Sequence, residues 1–180
     1  MKSIDMEGAK KLFKTIDAEL QQRNKKIEIT LLGGLAIILQ GFRSRSTLDI
    51  DIAPTRDASL FKEICERIKI PVDIITVATT VDLVHAQTLN VFSGNFLKIN
   101  SVMSEDLIKL KLERFYKQDP DDIFAIIDHL AMTYETFKNI VQDMLKDFIG
   151  NPKGPFLSAL QVVEVKFPKD ADVFEKEIKI

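Results

Sequence analysis

The chain has 180 residues, 46% of them apolar and 29% charged, with a formal net charge of −2. That balance suits one globular domain with at most a small appendage and excludes a globally basic nucleic-acid binder, though not a local basic patch. The single cysteine, Cys65, excludes an intrachain disulfide, and no apolar run approaches the roughly 20 residues of a membrane span. With Asp5, Glu7 and Asp17 among its early lysines the chain shows no secretion signal, so a cytoplasmic location without membrane contact is expected.

Residues 5–23 carry apolar side chains at helical spacing (Ala9, Leu12, Phe13, Ile16, Leu20) and predict an amphipathic first helix. Ile27–Leu32 reads as a strand. Gly33-Gly34 follows, then a short apolar helix over Leu35–Gln40 that Gly41 stops. A basic loop with Arg43 and Arg45 leads to a second strand, Leu48–Ala53, ended by Pro54. Asp57 is placed to cap a helix over Ala58–Lys69, and Val72–Val77 forms a third strand after Pro71. Residues 80–88 are ambiguous between helix and loop. Leu89–Phe92 and Phe96–Ile99 flank Ser93-Gly94-Asn95 as a hairpin.

Helices come next. Ser104 caps one with Glu105 and Asp106 in its first turn, Asp119-Pro120-Asp121-Asp122 starts another, and Glu135–Phe148 forms a third closed by Gly150. Asn151–Pro155 reads as a linker, and the alternating Val162–Phe167 segment before a charged end has no firm assignment. The expected fold is α+β: a mixed β-sheet flanked by helices over residues 1–103, a mainly helical part over 104–150, and a tail of uncertain structure over 151–180.

The chemistry concentrates in Gly33, Gly34, Asp49 and Asp51. In a strand, residues two apart share a face, so Asp49 and Asp51 stand about 7 Å apart on one side. Like charges so placed resist burial unless a cation lies between them, and Mg²⁺ takes oxygen ligands while keeping positions for water or phosphate. Two glycines at a strand–helix turn let backbone approach a polyphosphate where free N–H groups favour anions. The plainer alternative is a tight turn beside an edge strand with solvated acids.

Leu32-Gly33-Gly34-Leu35-Ala36, Gly41-Phe42-Arg43 and Arg45-Ser46-Thr47-Leu48-Asp49-Ile50-Asp51 resemble the core of the polymerase-β-like nucleotidyltransferase superfamily. The likeness is greatest to the small bacterial branch that includes abortive-infection toxin nucleotidyltransferases. Glu105-Asp106-Leu107 with Leu110-Lys111, and Asp119 followed by Asp122-Ile123, match that branch downstream. The resemblance spans roughly residues 27–130. It implies an NTP donor, an acceptor hydroxyl, and two Mg²⁺ ions held by three carboxylates. Asp73 is the candidate for the third carboxylate that the resemblance implies, the alternative being a strand-end acid in solvent. Lys111 matches the lysine facing the triphosphate, on a helix side shared with Leu107, Leu110 and Arg114; a solvated basic face is the alternative. Arg45 and Thr47 either contact the nucleotide or order the loop before the metal strand. One departure is Leu35 after Gly34, where several better-known members carry a serine or charged residue.

Other groups carry less. His85 and His129 lack ligand-spaced neighbours, Cys65 sits on an apolar helix stripe, and no P-loop lysine follows the glycines. The expectation is therefore a metal-dependent transferase acting on an RNA such as tRNA, from the resemblance and the basic residues Arg43, Arg45, Lys109, Lys111 and Arg114. A protein or small-molecule acceptor is the enzymatic alternative, and a cationic one would need an acidic pocket such as Asp119, Asp121 and Asp122. From another class, the rival is a non-catalytic or antitoxin-like protein of the same fold with a cognate toxin or antitoxin partner.

Overall fold

Asp5 begins the first helix by accepting a hydrogen bond from the backbone N–H of Gly8, and α1 runs from Met6 to Gln22 with Phe13, Ile16 and Leu20 fully buried. The computed structural model describes residues 3–76, 79–115 and 119–178. They form two compact units: the described residues of 1–77 with 83–103, and those of 78–82 with 104–180.

The first unit is a five-stranded mixed sheet with three helices. Its strands are β1 (Ile27–Leu31), β2 (Ile50–Ile52), β3 (Val72–Ile74), β4 (Thr88–Ser93) and β5 (Leu97–Val102), in the order β3-β2-β1-β5-β4. β1 runs antiparallel to β2 and parallel to β5; β2 and β3 are parallel; β4 and β5 make the expected hairpin. Strand alternation sorts the side chains: Ile27, Ile29, Leu31, Ile50, Ile52, Leu97 and Ile99 are buried, while Glu28, Asp51, Asp73 and Lys98 take the alternate positions. Phe13 of α1 meets Phe92 of β4 with ring centroids 5.4 Å apart, and Arg23 ties α1 to α3 (Ala58–Arg67) through Glu19 and Glu63.

The hairpin turn is held from outside itself. The carboxylate of Asp17 on α1 accepts the N–H groups of Phe96 and Leu97, each at 2.7 Å, and of Asn95 at 3.2 Å. A Cβ on Gly94 would lie 2.2 Å from the same carboxylate, so only glycine fits there.

Several boundaries differ from expectation. α2 spans Gly33–Leu39, starting at the first glycine. The second strand shortens to Ile50–Ile52, leaving Asp49 one residue before it. Asp57 occupies the cap position of α3 but makes no side-chain cap; its carboxylate instead accepts the N–H of Glu28 at 3.0 Å. The third strand ends at Ile74, and Val77 lies outside the described residues. The stretch before Thr88 forms turns and no helix among its described residues.

The second unit is helical: α4 (Ser104–Arg114), α5 (Asp119–His129), α6 (Tyr134–Lys146), α7 (Lys153–Lys166) and α8 (Ala171–Glu177). The expected linker and unassigned tail are here a correction. Pro155 falls in the first turn of α7, where a missing N–H costs nothing, and the Val162–Phe167 alternation belongs to a helix. Its period was hidden because α7 is apolar on most sides: Phe156, Ala159, Leu160, Val162 and Val163 are all buried. α8 docks through Phe174, stacked on Phe156 with centroids 5.8 Å apart.

Candidate metal centre and nucleotide site

The sheet register assembles the carboxylates. Asp49 and Asp51 are two residues apart, and Asp73 is the Cα partner of Asp51 in the parallel β2–β3 ladder. A carboxylate oxygen from each of Asp49, Asp51 and Asp73 lies within 4.8 Å of the others. Asp49 and Asp51 are half-buried and Asp73 is exposed, so the cluster opens to solvent on the side of Asp73.

Three anionic oxygens this close repel one another. The donor set is all oxygen, which suits a hard divalent cation at about 2.1 Å per bond. The chemistry of Asp49, Asp51 and Asp73 therefore fits a hard divalent cation such as Mg²⁺, which these three carboxylates could hold.

The glycines bear on the same place. Gly33 adopts a left-handed φ of +59°, and a Cβ there would sit 1.9 Å from Oδ2 of Asp51. Leu32, just before it, donates its N–H to the carbonyl of Asp51 at 2.9 Å. Backbone thus approaches Asp51 where a side chain would displace its carboxylate. At Gly34 a Cβ would lie 3.2 Å from the Thr47 hydroxyl and 3.3 Å from the Arg45 guanidinium. Gly33, Gly34, Arg45, Thr47 and the three aspartates are therefore gathered in the first unit. Thr47 Oγ1 donates to Oδ1 of Asp49 at 2.9 Å.

Lys111 is placed otherwise. It belongs to the second unit, where its side chain is 3% exposed and its ammonium lies 2.8 Å from Asp119 and 2.7 Å from Asp122. Arg114 adds a second cation to Asp119 at 3.1 Å. The expected helix side that presents Lys111 outward needs correcting: Lys111 is buried with Leu107, Ile108 and Leu112. The acidic pocket expected at Asp119 and Asp122 is corrected for the same reason, since both carboxylates are buried against cations.

The basic content of this helix is likewise engaged. Lys109 binds Asp143 at 2.5 Å and holds the Asp143 carboxyl below its ordinary range, while burial pushes the neighbouring Asp106 carboxyl up. Burial also pushes the Cys65 thiol up to about 12, which removes it as a nucleophile at neutral pH.

A mixed sheet presenting three carboxylates next to a glycine turn defines a nucleotidyltransferase-like core. Residues 9–151 match a family described as a nucleotidyltransferase of unknown function (DUF6036), and the chain belongs to that family. Membership implies an NTP donor and a divalent metal. A comparison with curated proteins gives no match, and neither does one with solved structures. No helix among the described residues is long and apolar enough to cross a membrane.

Two contributors had no signal in the sequence. Ile4 forms an isolated antiparallel bridge with Thr47, and Asp17 grips the hairpin turn from 78 or more residues away. Neither pairing follows from local pattern.

Proposed function

We propose that the protein transfers a nucleoside monophosphate from Mg²⁺–NTP to an acceptor hydroxyl. The convergence of Asp49, Asp51 and Asp73 within 4.8 Å carries this reading, and family membership supports it. Bound by these carboxylates, Mg²⁺ would offset triphosphate charge and polarise the reacting phosphoryl group. Gly33 and Gly34 leave backbone open to the phosphates, and Arg45 supplies a forked cation beside Gly34. Asp73, the exposed member of the triad, accepts the proton of the acceptor hydroxyl as that oxygen bonds to the α-phosphorus and pyrophosphate leaves. Lys111 has no part in this reading, because Asp119 and Asp122 already engage its ammonium.

RNA, tRNA first, is the acceptor we favour. Its support is the resemblance and the pair Arg43 and Arg45, which line a cavity of about 630 Å³ in the first unit together with Asp5 and Glu7. Lys109, Lys111 and Arg114 are engaged with acids and add nothing to that support. The cytoplasm, with its reduced thiols and NTP supply, is the location we assign.

The test is a melting scan of wild type, Asp49→Asn and Asp51→Asn with and without Mg²⁺–NTP, paired with labelled NTPs, Mg²⁺ and total RNA. Ligand at 100 times its dissociation constant adds about 2.7 kcal/mol, which is roughly 5–10 °C for a chain of this length. The variants should melt no lower than wild type without metal, since each loses like-charge repulsion, and should lose both the ligand shift and label transfer. Labelled protein or small molecules with unlabelled RNA would move the acceptor to those classes. A wild type that no Mg²⁺–NTP stabilises would instead favour a non-catalytic, antitoxin-like partner.

A further inference from the structure

Asp49 lies one residue before β2, outside the regular strand, so sheet hydrogen bonding does not by itself fix its side chain. A metal ligand there needs another constraint. Thr47 Oγ1 lies 2.9 Å from Oδ1 of Asp49, and because an ionised carboxylate only accepts, the hydroxyl is the donor. That bond orients the carboxylate and leaves Oδ2, with the remaining lone pairs of Oδ1, for a cation.

Thr47 is itself held on both sides. Its N–H donates to the carbonyl of Ile4 at 2.9 Å, and its carbonyl accepts the N–H of Ile4 at 2.7 Å. Ile4 is 4% exposed, so this bridge is anchored in the core. On the other side, the hydroxyl lies 3.2 Å from the point a Cβ on Gly34 would occupy. Glycine at position 34 gives the hydroxyl its room. Ile4, Thr47 and Asp49 thus form a chain of contacts from the core to a metal oxygen.

We propose that Thr47 is a positioning residue for the metal ligand Asp49, acting through its hydroxyl; the proposal rests on reading the aspartate triad as a metal centre. Hydrogen-bond partners of metal ligands change metal affinity by about 10–100-fold when removed. Thr47 is thereby assigned to the carboxylate, since its one hydroxyl proton is committed there.

The experiment uses Mn²⁺ without nucleotide, read by the electron paramagnetic resonance signal of the free ion, on the full chain. Thr47→Val keeps the shape and the backbone bridge and removes the donor; Thr47→Ser keeps the donor. Thr47→Val should raise the Mn²⁺ dissociation constant at least tenfold, and Thr47→Ser should stay within about threefold of wild type. Wild-type affinity in the valine variant would overturn the proposal and leave the metal centre standing. A serine variant as weak as the valine variant would overturn it too, because the effect would not lie in the hydroxyl. Wild type that binds no Mn²⁺, or binds it equally well as Asp49→Asn, would remove the metal centre and the proposal together.

Discussion

Replacing Lys111 by methionine keeps the length and apolar stem of the side chain and removes a charge that lies 2.8 Å from Asp119 and 2.7 Å from Asp122. All three side chains are at most 4% exposed, so water cannot take the place of the ammonium. Breaking a buried ion pair by deleting one partner costs about 3–5 kcal/mol, because a charge is left without compensation. Arg114 still faces Asp119, and Asp122 is the fully buried acid of the pair. Against a typical total of about 5–15 kcal/mol such a loss is large, and it should fall on the junction of α4 and α5. Native-state hydrogen exchange read by mass spectrometry on peptides from α4 and α5 resolves it there. Protection should drop by a factor of a hundred or more, and adding Asp122→Asn should restore much of it. The reasoning is refuted if Lys111→Met leaves protection within tenfold of wild type. A loss of Mg²⁺–NTP affinity with unchanged protection would return Lys111 to the nucleotide.

Gly33→Ala should lose about 1–2 kcal/mol for the left-handed backbone and also displace the Asp51 carboxylate, whose Oδ2 lies 1.9 Å from the new Cβ; Mn²⁺ titration that matches wild type would contradict this. Glu28 accepts hydrogen bonds from Lys98 and Asn100, and these hold its carboxyl below the ordinary 4.5. The contribution is therefore present above about pH 4.5 and is lost as pH falls through the lowered value. Glu28→Gln should accordingly be less stable than wild type at pH 7, with the gap closing below pH 4, as urea midpoints at the two pH values will show.

The convergence of the three carboxylates was legible because its signal is local and periodic: two acids with strand spacing, two glycines at the end of an apolar run, one acid inside another apolar run. Each survives translation into space because β2 and β3 pair in the register that aligns Asp51 with Asp73. Lys111 was not legible, because helical spacing places it equally well on a solvated face or between two acids of the next helix. Only the tertiary packing of α4 on α5 decides, and there the ion pairs outweigh the usual exclusion of lysine from a core. α7 shows the opposite failure: its exposed face, Leu157, Gln161, Glu164 and Val165, carries two apolar residues, so polarity does not mark the helical period.

The order of the two units along the chain also sets an order of synthesis. Every strand among the described residues, with Asp49, Asp51 and Asp73, lies before Ser104. As the nascent chain leaves the ribosome from its N-terminus, the five-stranded sheet can close while α4 to α8 are still unmade. Thr79–Asp82 is the exception, since Thr80 finds its hydrogen-bond partner, Glu113, only when α4 has emerged. That short segment lies between β3 and β4, so the last contact of an early-made loop waits for a late-made helix.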